Sequence, residues 1–119
     1  MPNLDEHLQI AGNNISFSQS LISEQRYLDW AVTGMFYAAI HYVEAYLADK
    51  NVHSSFHSRR DSAIQQDVNL CIIYDEFSDL KNDSIQTRYY GFIFPLSEIV
   101  SRIQPSLNTI RNHISSLLP

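Results

Sequence analysis

Residues 30–50, WAVTGMFYAAIHYVEAYLADK, read as one uninterrupted helix, and the rest of the chain is arranged around it. At 100° per residue its side chains sort into three stripes rather than two. Val32, Met35, Phe36, Ala39, Ile40, Val43, Tyr46 and Leu47 form a broad apolar face. Ala31, Gly34, Ala38 and Ala45 form a flank of small residues where a second helix can come close. Thr33, Tyr37, His41 and Glu44 occupy the remaining side. A helix with so little freely solvated surface is the centre of a bundle. Its polar stripe must find partners inside the fold or face a pocket.

Working outward, Asn3 with Glu6 reads as a capping box that opens a first helix. Leu4, Leu8, Ala11, Ile15, Ser18 and Ile22 mark its stripe, and Gly12-Asn13-Asn14 leaves room for a kink. Residues 23–28 connect it to the central helix, for which Asp29 is the expected N-cap. Residues 51–57, NVHSSFH, have no period and form a loop. Ser58 with Asp61 predicts the cap of a third helix over about 59–80, followed by a turn at Lys81-Asn82-Asp83 and a short segment, SIQTRYYGFIF. Pro95 suits the first turn of a last helix, whose apolar period (Leu96, Ile99, Val100, Ile103, Leu107, Ile110, Ile114, Leu117) runs through Pro105. That proline should kink the helix near Ser101 without ending it. No stretch alternates with period two. The expected fold is all-α, an antiparallel four- to five-helix up-and-down bundle forming one domain over residues 1–119.

Composition narrows the function. The chain is 45% hydrophobic, with 13 acidic against 8 basic residues and a formal charge of −5. This opposes long-duplex binding, which needs clustered Lys and Arg. The apolar runs are too short to span a membrane, and the acidic start MPNLDEHL does not read as a signal peptide, so a cytoplasmic protein is expected. A lone cysteine, Cys71, leaves no internal disulfide and no cysteine-rich zinc site, and is expected in the core.

Three constellations carry chemistry. His53, His57, Arg59 and Arg60 gather at a predicted helix start, where free N–H groups and guanidinium forks suit an anion. The same residues also read as a solvated polar loop. The stripe Thr33, Tyr37, His41, Glu44 reads as core polar groups bonded between helices or as a pocket wall. Arg88-Tyr89-Tyr90 places a base between aromatic rings, able to hold a phosphate, stack on a nucleobase or tie its segment to an acid. No metal is expected: His53 and His57 lie before the cap, and there is no HExxH pattern. No sequence feature calls for a cofactor.

Taken together, Phe36-Tyr37-Ala38-Ala39, His57-x-x-Arg60 and Arg88-Tyr89-Tyr90 resemble a HEPN-type helical domain, over roughly residues 25–118. The resemblance implies a homodimer and a nucleotide- or RNA-binding or protein-partner module. Such a module belongs to toxin–antitoxin or defence systems, with a nucleotidyltransferase-like protein as partner. It places the ligand among Tyr37, His41, His53, His57, Arg60 and Arg88. One alternative is a metal-independent ribonuclease with His57 as acid/base and Arg60 stabilising the phosphorane charge. Another is a purely structural dimerisation protein. The nuclease members carry Arg, four to six intervening residues, then His; no arginine of this chain has a histidine at that spacing downstream.

Overall fold

The computed structural model describes residues 2–54 and 56–119. Five helices pack antiparallel, and no strand occurs among the described residues. They are α1 (Leu4–Glu24), α2 (Leu28–Asp49), α3 (His57–Gln66), α4 (Tyr74–Tyr90) and a composite last helix, α5. The last runs through Leu96–Glu98, a π-helical stretch Ile99–Ile103 and Gln104–Leu117. A 3-10 turn, Cys71–Ile73, leads into α4.

Helix α2 is the centre, packed against α1, α4 and α5, with fifteen of its 22 residues buried. All eight residues of its apolar face are in the core. The small flank meets α1. A Cβ on Gly34 would run into Ser18 Oγ and lie 3.2 Å from the Phe17 ring, so the helices approach as closely as glycine allows. Ser18 Oγ uses that proximity to donate to the Ala31 carbonyl at 2.8 Å. On the opposite side Phe36 meets Phe77 of α4, ring centroids 5.7 Å apart. Ile99, Ile103, Ile110 and Ile114 of α5 are fully buried. Each buried isoleucine contributes about 1.5–3 kcal/mol of transfer free energy, as an upper bound.

The predicted capping box of α1 is present: Glu6 N donates to Asn3 Oδ1 at 2.9 Å, and Asn3 N donates to Glu6 Oε1 at 3.1 Å. The helix passes through Gly12–Asn14 without a break. Its connection to α2 reverses through two left-handed residues, Gln25 (φ 54°) and Tyr27 (φ 51°). The tight reversal starts α2 one residue before the expected cap, so Asp29 lies in the first turn and its carbonyl accepts from Thr33 Oγ1.

Several expectations are corrected. The loop expected over 51–57 includes Ser55, which lies outside the described residues; α3 already begins at His57, with no side-chain cap from Ser58. The single helix expected over 59–80 is two. Asp67 divides it, turning extended (ψ 125°), while its Oδ1 accepts from the backbone N–H groups of Asn69 and Leu70. Lys81-Asn82-Asp83 is not a turn but the middle of α4. The polar run there answers lateral partners: Lys81 pairs with Asp61, and Arg102 pairs with both oxygens of Asp83 at 3.0 and 3.1 Å. Cys71 is exposed rather than in the core. The disturbance expected before Pro105 takes the form of the π stretch. Proline cannot donate to the Ser101 carbonyl and its ring crowds it, so the preceding turn widens, and Gln104 N bonds Ile99 O.

Candidate functional site

The polar stripe of α2 finds a partner at every step. Thr33 Oγ1 lies 3.2 Å from Thr87 Oγ1 of α4. Tyr37 accepts from Arg88 Nη1 at 3.2 Å. His41 meets His7 of α1, Nδ1 to Nδ1, at 3.0 Å. Glu44, buried, accepts from Arg60 Nε of α3 at 2.8 Å and from the Ser54 hydroxyl. The stripe therefore stitches α2 to α4, α1 and α3 in turn.

Its lower half also lines a cleft of about 510 Å³, walled by Tyr37, Ile40, His41 and Glu44, with His7, Ser54, His57 and Arg60 opposite. Local structure explains the convergence. The loop after α2 brings the chain back so that α3 starts over the Glu44 end of the stripe, and Arg60, one turn into α3, reaches down to that carboxylate. Arg60 Nη1 donates to His57 Nδ1 at 3.0 Å, and the His57 ring lies over Phe36 with centroids 6.3 Å apart.

Of the residues expected at a ligand site, Tyr37, His41, His57 and Arg60 share this cleft. His53 does not. It lines a neighbouring cleft of about 340 Å³ with Arg59, Ser58 and Gln66, and the two clefts have Ser54 in common. Arg88 touches the wall through Tyr37 and lines a third cleft, about 240 Å³, with Asp29, Trp30, Thr33 and Thr87. Its guanidinium lies 5.1 Å from the Tyr89 ring centroid and 5.8 Å from those of Phe36 and Tyr37. Of the roles left open for Arg88, a tie to an acid is not made among the described residues: Arg88 bonds Tyr37, and the acid Glu44 goes to Arg60.

Pro2, His7 and Ser54 are the lining residues that the sequence did not single out. His7 sits three residues after Leu4 and four before Ala11, on the buried face of α1, and is itself buried. A histidine on an apolar stripe was the available signal.

Burial lowers all three imidazoles below the usual histidine value. For His7 burial is the main cause, partly offset by Glu44. For His41 burial is followed by His7 and Arg60. For His57 burial is followed by the cations Arg60, Lys81 and Arg88. The geometry agrees for His57. A guanidinium only donates, so His57 Nδ1 accepts and the ring is the neutral Nε2–H tautomer. The cleft thus holds one cation already paired to one carboxylate, together with neutral imidazoles. Among the described residues Arg60 Nη2 and Glu44 Oε2 make no hydrogen bond, leaving one strong donor and one strong acceptor for a ligand. No group of three metal-ligating side chains is assembled among the described residues. No helix among them is long and apolar enough to cross a membrane.

Comparison of the chain with models of protein families, with curated proteins and with solved structures finds no match.

Proposed function

We propose that this chain is a HEPN-like binding module that takes a nucleotide or an RNA end in the cleft between α1, α2 and α3. The observation that carries this reading is the convergence of His57 and Arg60, from the start of α3, with Tyr37 and His41 of α2 on one cleft of about 510 Å³. The first turn of α3 has no side-chain cap, so its N–H groups favour an incoming anion. Arg60 Nη2 adds a charge-assisted donor. Tyr37 and His57 offer aromatic faces. The pairing of Arg60 with Glu44 moderates the positive field, which suits a small ligand with mixed donors and acceptors better than a long phosphate backbone.

Calorimetric titration with nucleoside phosphates and short RNAs tests the reading. Affinity should fall with salt on a shallow slope, reflecting few phosphate contacts. Arg60→Gln combined with Glu44→Gln removes the donor without stranding a charge and should weaken binding by about 1.5–3 kcal/mol, while Arg111→Ala should change it little. Absence of binding across these ligands, with the variants folded, overturns the reading. Cleavage is the enzymatic version of the same site. His57 would act as acid/base only on releasing Nδ1 from Arg60, and turnover would persist in EDTA and fall on His57→Gln.

A protein-partner role has its own support. Trp30 at the start of α2 and Tyr89, Tyr90, Phe92 and Ile93 at the end of α4 are all exposed. Antiparallel packing puts these segments at one end of the bundle, where Trp30 and Arg88 share a cleft. A twofold partner or a nucleotidyltransferase-like protein would cover them there.

A further inference from the structure

We propose that anion binding in the cleft is proton-coupled, a phosphate-like group entering together with a proton taken up by the His7–His41 pair. The inference rests on the reading of this cleft as an anion site and adds its regulation.

The argument begins with charge. Arg60 is held by Glu44 at 2.8 Å, so a dianion meets no uncompensated fixed charge in the cleft. His57 cannot supply one without giving up its bond from Arg60, and it faces Arg60, Lys81 and Arg88 against Asp61 alone. The His7–His41 pair is different. With Nδ1 facing Nδ1 at 3.0 Å, one ring donates and the other accepts. The accepting ring is neutral. The donating ring keeps a second nitrogen that can be protonated with the bond intact, so the pair takes up about one proton without rearranging. The groups facing the pair allow this once an anion is present. Glu44 from α2 and Glu6 from α1 favour the charge, whereas His53 from the loop and Arg60 from α3 oppose it. An anion within the cleft, walled by both rings, tips that balance toward the imidazolium.

Sulfate is the decisive probe, because its charge is constant across the range in which histidine titrates. Its affinity should rise as pH falls from about 8 to 5.5, by up to about tenfold per pH unit within the window. Calorimetry of the intact chain in two buffers of different ionisation enthalpy should count about one proton taken up per sulfate. His7→Gln and His41→Gln, which retain an amide able to hydrogen-bond, should each reduce the uptake and flatten the rise in affinity toward low pH, and the two together should abolish both. The wild-type proton count needs no variant and decides the matter if either glutamine form misfolds. Sulfate binding with no proton uptake, or uptake unchanged in both folded variants, overturns this inference and leaves the binding site standing. No binding of sulfate or adenosine 5′-monophosphate at any pH overturns both.

Discussion

Glu44 shows how a buried charge is made tolerable. Its side chain is 7% exposed and that of Arg60 11%, so each has lost most of its water and depends on the other. Glu44→Ala leaves a buried guanidinium alone and should cost about 3–5 kcal/mol in denaturant unfolding, whereas Glu44→Met with Arg60→Met should cost far less. Equal losses for the single and double variants would mean that the pair is effectively solvated. The histidines make a second prediction at this scale. His7, His41 and His57 all bind protons less readily folded than unfolded. Their contribution is fully present above the unfolded value near 6.5 and is lost as pH falls from there through their lowered folded values. The melting temperature of the free protein should therefore drop on acidification from pH 7 to 5, and His41→Gln should flatten the drop.

The helices are set by close approach and by interruption. Between α1 and α2 the controlling feature is Gly34 against Ser18. Gly34→Ala should destabilise by about 1–3 kcal/mol through overpacking, and Ser18→Gly in the same chain should recover part of that loss by making room. If Gly34→Ala is silent, the two helices are not held at this distance. Between α3 and the 3-10 turn the controlling residue is Asp67. Its carboxylate accepts from Asn69 N at 2.7 Å and Leu70 N at 3.1 Å, and its two oxygens accept from Tyr46 OH at 3.2 and 3.1 Å. Asp67→Ala should cost about 1–2 kcal/mol, as the loss of a cap does. Asp67→Asn, which keeps one acceptor, should cost less.

The whole chain measures 38 × 23 × 23 Å with a radius of gyration of 13.7 Å. About 13.5 Å is expected of a compact globule of this length, so the chain packs around a core of its own. Most of the apolar stripe of α5 is spent inside that core, with Ile99, Ile103, Leu107, Ile110 and Ile114 buried, while Val100 faces outward. Surface available to a second copy lies instead at the α4 terminus, where Tyr90 is 73% and Ile93 61% exposed. Sedimentation at tens of micromolar should give about twice 13.7 kDa. Ile93→Glu should return a folded monomer. A monomeric parent would end the twofold proposal without touching the cleft.

The sequence by itself determined the helical class, the central helix with its three stripes, the α1 capping box and the disturbance before Pro105. These rest on local forces: a 3.6-residue period, a cap within one turn, a missing N–H four residues away. It also marked Tyr37, His41 and Glu44 in the cleft wall, because a polar stripe on a buried helix requires partners, and His57 and Arg60, because they fall at a helix start. Only the tertiary structure decided who those partners are. His7 and His41 are 34 residues apart and Tyr37 and Arg88 are 51 apart, and no period links them. Asp67 and Lys81-Asn82-Asp83 show the same limit from the other side. Each looks polar enough to break a helix; one breaks it and the other does not. The difference is where the charges go, for Asp67 turns its carboxylate onto backbone N–H groups beside it, whereas Lys81 and Asp83 reach sideways to Asp61 and Arg102. Such choices depend on which helices stand next to each other, and that is decided by burying the apolar faces of the entire chain at once.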